Sequence, residues 1–112
     1  MGPLLIVEDE VAIRETLTEI LAKDGREIVT ASDGQEALER LTEIPSPCLI
    51  VLDLVMPRMN GWEFLQRKSA DPSIANIPTI VLSSSGRPAA ATHWLTKPVA
   101  VERLLALVNQ YC

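Results

Sequence analysis

The chain has 112 residues, room for one domain and not two, because single cores usually occupy about 100–150 residues. Hydrophobic residues make up 47% and charged residues 22%, a mix too apolar for a disordered chain. Ten Lys and Arg against fifteen Asp and Glu leave a net charge of −5, which excludes gripping of nucleic-acid phosphates through bulk charge, so no direct nucleic-acid contact is expected.

Leu4 to Val7 is a continuous apolar run and reads as a first strand. Ile13, Leu17, Ile20 and Leu21 then follow the spacing of one helix face, with Gly25 placed as a left-handed cap beyond it. Glu27 to Thr30 is a second strand, and Asp33 with Glu36 forms a capping-box-like start to a short second helix that Pro45 and Pro47 stop. Cys48 to Leu52 is a third strand, and Asn60-Gly61 opens a third helix around Trp62, Phe64 and Leu65. Thr79 to Leu82 is a fourth strand and His93 to Thr96 a short fifth; Val101, Leu104, Leu105 and Val108 stripe a last helix begun near Pro98. Three of the strands are apolar throughout, as strands covered by helices on both faces require, so the pattern is α/β with a parallel sheet.

No apolar run approaches the roughly 18 residues of a membrane span, and no charged-then-apolar leader opens the chain, which predicts a cytoplasmic protein without a membrane partner. Cys48 and Cys112 lack metal-site or redox-motif spacing and read as buried filler and an exposed tail thiol. His93, the single histidine, reads as a surface residue rather than a ligand.

In parallel sheets of this kind ligands bind outside the carboxyl ends of the strands. Glu8 and Asp9 follow the first strand directly and Asp53 the third. If those strands are neighbours, three carboxylates converge, and such a cluster resists ionisation unless a cation neutralises it. Mg2+, a hard oxygen-seeking ion, is the natural partner. A single acid after a strand would serve as a helix cap, but capping explains three converging acids less well.

Ser83 ends the fourth strand, and Lys97-Pro98 follows the fifth. With Val7-Glu8-Asp9-Glu10, Asp33-Gly34, Leu52-Asp53-Leu54-Val55-Met56-Pro57, Met59-Asn60-Gly61, Val81-Leu82-Ser83 and Leu95-Thr96-Lys97-Pro98 in this order, the chain resembles the receiver domain of two-component response regulators over residues 1–112. The resemblance implies a flavodoxin-like, doubly wound, five-stranded parallel sheet of order 2-1-3-4-5. It also implies that Asp53 is the phosphoacceptor for a phosphohistidine on a histidine kinase or phosphotransfer protein. Glu8, Asp9, Asp53 and the backbone carbonyl of Val55 would hold Mg2+, Lys97 and Ser83 would contact the phosphoryl group, and Ser83 with Trp94 would form the switch. Trp94 can equally be a packed aromatic of an edge strand. Val55 and Ser85 stand where the family tunes phosphoryl lifetime, and both are small and uncharged.

The chain departs from the family between Ser83 and His93, where residues 84–92 are too few for the usual crossover, so a fourth helix is expected to be short or absent. The phosphorylation chemistry is then kept while the face of strands 4 and 5 changes, and a downstream protein or a second copy of the chain is expected to cover it. Two other readings are weighed. A phosphoaspartyl hydrolase of haloacid-dehalogenase type wants a second Asp two residues beyond the first, where Val55 stands; a receiver-shaped interaction module that is never phosphorylated commonly loses one of the acid, hydroxyl and lysine set, all present here. The expectation is a switch that turns over no external substrate.

Overall fold

Five short strands pair side by side in the order β2-β1-β3-β4-β5, all parallel. They are β1 (Leu4–Val7), β2 (Ile28–Ala31), β3 (Leu49–Asp53), β4 (Thr79–Ser83) and β5 (His93–Thr96). The computed structural model describes residues 2–22, 25–56, 58–84 and 91–112. Its described residues also form the helices α1 (Val11–Leu21), α2 (Gly34–Glu43), α3 (Gly61–Ala70) and α4 (Val101–Tyr111). None of these helices is long and apolar enough to cross a membrane.

Every residue of β1, β3 and β4 is buried, as their unbroken apolar runs require, whereas the edge strands β2 and β5 are only partly covered. Successive side chains go to opposite faces. Leu5, Val7, Ile50, Leu52 and Val81 pack with Ala37 of α2 and Phe64 and Leu65 of α3. Leu4, Ile6, Leu49, Val51, Ile80, Leu82 and Leu95 pack with Leu17 and Leu21 of α1 and Leu104 and Val108 of α4. α1 has no side-chain cap and no acid in its first turn, so it is the burial of Leu17 and Leu21, each worth about 1.5–3 kcal/mol, that holds it.

Local chemistry sets the other helix starts. Asp33 accepts the Glu36 amide at 2.9 Å and Asn60 accepts the Glu63 amide at 3.0 Å, the capping both motifs predict. Glu36 reaches back to the Ser32 amide rather than to that of Asp33. Strand limits move by one residue from expectation at β2, β3 and β4. The last helix begins at Val101, three residues past Pro98: Val99 packs against the core on that side of the sheet, and the amides of Arg103 and Leu104 turn back on the Ala100 carbonyl. Gly25 has a φ of +77° but stands beyond Ala22, which takes the C-cap of α1.

Two expectations are overturned. Cys48 and Cys112 form a disulfide, with Cα atoms 5.6 Å apart. Cys48 precedes β3, and α4 runs back along the sheet to end at that same edge, so topology closes a gap of 64 residues that spacing alone hides. His93 is half-buried and shares a 2.8 Å hydrogen bond with the Tyr111 hydroxyl, the rings meeting edge-on at 5.6 Å, so it ties β5 to α4 and is not simply a surface residue. The question of a helix within 84–92 falls largely on residues 85–90, and the role given to Ser85 on one of them; these lie outside the described residues. On the C-terminal side of that segment the chain is stitched to β4, the Thr92 amide donating to the Thr79 carbonyl at 3.0 Å and its hydroxyl accepting the Thr79 amide at 3.0 Å.

Candidate functional site

Parallel order brings the carboxyl ends of all five strands to one edge, and β1 lies directly beside β3. Val7 pairs with Leu52, so Glu8 falls level with Asp53. One carboxylate oxygen from each of Glu8, Asp9 and Asp53 lies within 4.8 Å of the others, with Glu8 and Asp53 buried and Asp9 partly so. Lys97, just past β5, donates to Asp53 Oδ1 at 2.9 Å, and its own amide donates to the Ser83 carbonyl at 3.0 Å.

The electrostatics follow from this crowding. Burial pushes the Glu8 carboxyl up to about 7, helped by the charge of Asp53 and by Asp9 and opposed by the Glu10 amide and Lys97. Burial also works against the Lys97 ammonium, but the hydrogen bond and charge of Asp53 outweigh it and hold its pKa above the ordinary lysine value. Glu8 Oε2 accepts the Glu10 amide at 3.2 Å, while Glu8 Oε1 is buried with no hydrogen-bond partner among the described residues. An orphaned oxygen beside two more carboxylates is a donor set that fits a hard dication such as Mg2+, which takes one or two carboxylates and keeps several waters.

Three further sequence-derived residues are placed by β3, β4 and β5. Ser83 is buried at the end of β4, one residue past Leu82, which pairs with Asp53. Val55 lies two residues past Asp53 with its side chain 74% exposed. Trp94 pairs with Val81 in β5 and remains 37% exposed on the α3 side of the sheet.

The sequence profile of the response regulator receiver domain matches residues 4–109. This chain belongs to the receiver-domain family. It is 36% identical to response regulator RR06 of Streptococcus pneumoniae, an alignment covering 96% of this chain and 54% of RR06, so the chain spans about half that relative's length. Its fold is similar to chemotaxis response regulator CheY4 of Vibrio cholerae, with a TM-score of 0.86 and 31% identity over 100% of this chain and 99% of that one. The signal receiver domain of a histidine kinase from Syntrophus aciditrophicus is similarly close, with a TM-score of 0.86 and 29% identity, covering 99% of this chain and 89% of that one.

Two features of this receiver site were not apparent from the sequence. Arg14 of α1 donates to the Glu8 carbonyl at 2.8 Å, fixing the backbone at the first acid. Arg58 forms an ion pair with buried Asp33, Nε and Nη2 meeting Oδ2 at 2.6 and 2.5 Å. Arg58 has a φ of +59°, a left-handed backbone that costs a non-glycine residue about 1–3 kcal/mol. The local signal for it was slight: an arginine in a turn segment, one residue before Met59-Asn60-Gly61. Beside the acids, Glu8 and Lys97 also close one end of an apolar groove of about 380 Å3 between α1 and α4, where Ile13 and Val101 of the two predicted stripes line the groove instead of entering the core.

Gly61 carries a close approach at this receiver site. A Cβ there would lie 2.7 Å from Leu54 Cα and 2.8 Å from the Asp53 carbonyl oxygen, both backbone atoms that cannot swing aside. Gly61→Ala is therefore expected to cost about 1–3 kcal/mol in urea unfolding, by forcing α3 away from the end of β3. An unchanged midpoint would show that the two segments are not in contact.

Proposed function

We propose that this receiver domain is a phosphoacceptor switch in which Asp53 takes the phosphoryl group of a phosphohistidine on a histidine kinase or phosphotransfer protein. The observation that carries this reading is the buried convergence of Glu8, Asp9 and Asp53 with Lys97 on the Asp53 carboxylate. Glu8, Asp9, Asp53 and the Val55 carbonyl would hold Mg2+, which when bound neutralises charge on the transferring group. An Asp53 oxygen forms the new P–O bond as the P–N bond of phosphohistidine breaks, and the leaving imidazole takes up a proton. Lys97 moves from Asp53 Oδ1 to a phosphoryl oxygen, and the Ser83 hydroxyl donates to another. The chain catalyses this transfer and a slow loss of the group, and turns over no external substrate.

The consequence is carried to the face of β4 and β5, where Ser83 ends one strand and half-exposed Trp94 stands on the other. A downstream protein or a second copy of the chain would read that face. A cytoplasmic setting goes with such a donor, and there a reducing thiol pool would keep Cys48 and Cys112 as thiols.

Incubation with acetyl phosphate and Mg2+, followed by intact-mass measurement, tests the reading. One phosphoryl group is expected on the wild-type chain and none on Asp53→Asn, and chelation of Mg2+ should abolish the label. Gel filtration of the same samples reads whether the labelled chain recruits a second copy. An unlabelled wild type, or equal labelling of the Asn variant, sinks the switch and leaves an interaction module.

A further inference from the structure

The segment between β3 and α3 carries Val55, which is 74% exposed, so little packing among the described residues fixes its carbonyl. The loop is instead held at its ends. The Gly61 amide closes on the Leu54 carbonyl at 2.9 Å, Met56 and Met59 are buried in the α2–α3 side of the core, and the Gly34 amide donates to the Met59 carbonyl at 2.8 Å. A Cβ at Gly34 would come within 2.8 Å of that same carbonyl oxygen, so the β2–α2 and β3–α3 loops touch along their backbones. Across this contact Arg58 reaches to Asp33 with two nitrogens.

We propose that Asp33 and Arg58 form a positioning latch that sets the β3–α3 loop for binding of a divalent cation at Asp53; the proposal rests on the switch reading for what the cation does. The Arg58 side chain is 63% exposed, and exposed ion pairs usually contribute little because two long side chains must be ordered to make them. Here that cost is already met on one side. Asp33 is 3% exposed, its Oδ1 is fixed by the α2 capping bond, and Oδ2 is left to receive the guanidinium. The charge on Asp33 is firm: burial alone would push its pKa up, but the Glu36 amide, Arg58 and the Gln35 amide hold it below the ordinary carboxylate value. A left-handed arginine persists only where its surroundings over-determine it, and the latch together with the buried methionines on either side supplies that constraint. The acid that starts α2 thus also braces the loop next to the phosphoacceptor.

Calorimetric titration of the full chain with Mg2+ tests the latch. Arg58→Gly removes the pair while accepting the positive φ freely, so any loss it causes does not come from backbone strain. Asp33→Asn keeps an oxygen for the Glu36 amide and removes only the charge, separating the latch from the helix cap. Each is expected to weaken Mg2+ binding about five-fold or more, and the double variant to lose no more than the stronger single one. Arg58→Lys, with charge but no fork, should fall between. Circular dichroism establishes that each variant is folded, and Arg58→Gly and Arg58→Lys carry the test if Asp33→Asn does not fold. Singles that bind Mg2+ within about two-fold of the wild type, or effects that simply add, overturn the latch. A wild type that binds Mg2+ but takes no label at Asp53 overturns the switch and leaves the latch standing, whereas a wild type that binds no Mg2+ overturns both.

Discussion

Reduction of the Cys48–Cys112 bond, or Cys112→Ser, is expected to lower the unfolding midpoint by about 10 °C or more. The bond spans 64 residues, and closing a loop of that length in the unfolded chain removes entropy worth about 4 kcal/mol at 25 °C. For a domain of this size each kcal/mol moves the midpoint by about 3–6 °C. The 4 kcal/mol is a ceiling, because compact structure retained by the unfolded chain already restricts its ends. Scanning calorimetry with and without a phosphine reductant, beside Cys112→Ser, checks it. Midpoints within about 2 °C of one another would mean that the bond constrains nothing the core does not already constrain. The same measurement bears on setting, since a chain that works in a reducing compartment must keep a folded sheet and site with both sulfurs as thiols.

Lys97→Ala is expected to slow Mg2+-dependent labelling by acetyl phosphate about 10²–10³-fold, the usual loss when one preorganised charge partner of a transition state is removed. Lys97 Nζ lies 2.9 Å from Asp53 Oδ1 and, on the proposed mechanism, moves to the transferring group, so alanine takes away a contact that strengthens as charge develops. Removing the ammonium also leaves Glu8, Asp9 and Asp53 without the cation that now faces them. The metal-free protein should melt earlier, and added Mg2+ should then raise the midpoint by more than it does in the wild type. The two readouts separate a catalytic loss from a folding loss. Labelling within about three-fold of wild type would remove Lys97 from the chemistry.

How much of this was legible in advance depends on the distance over which each feature is encoded. β1, β3 and β4 are continuous apolar runs, and a run of that kind has few fates other than the middle of a two-sided sheet; their limits fell within a residue of expectation. The acids were equally readable, because a carboxylate immediately after a strand in a parallel sheet has one edge to occupy, and Glu8, Asp9 and Asp53 occupy it together. The helix caps at Asp33 and Asn60 are written three residues ahead of the amides they satisfy. Pairings made by tertiary closure carried no such mark. Cys48 and Cys112 meet because α4 returns to the edge where β3 begins, and His93 meets Tyr111 for the same reason. Asp33 read completely as a cap, so its second oxygen, which holds Arg58 from 25 residues away, had no reason to be sought.

The two tryptophans of the chain have a use that their packing alone does not suggest. Trp62 is the second residue of α3, next to the glycine that abuts the Asp53 carbonyl, and Trp94 lies beside Val81 on β5; they are 46% and 37% exposed. Each indole is thus part solvated and part packed, the condition under which emission colour is most sensitive to small changes of surroundings. On the proposed mechanism, one stands at the start of the helix that follows Asp53 and its loop, and the other on the strand face that would carry the signal outward. If the domain switches as proposed, it carries a built-in optical gauge at both the input and the output, and replacing either tryptophan by phenylalanine leaves the other to report on its own end.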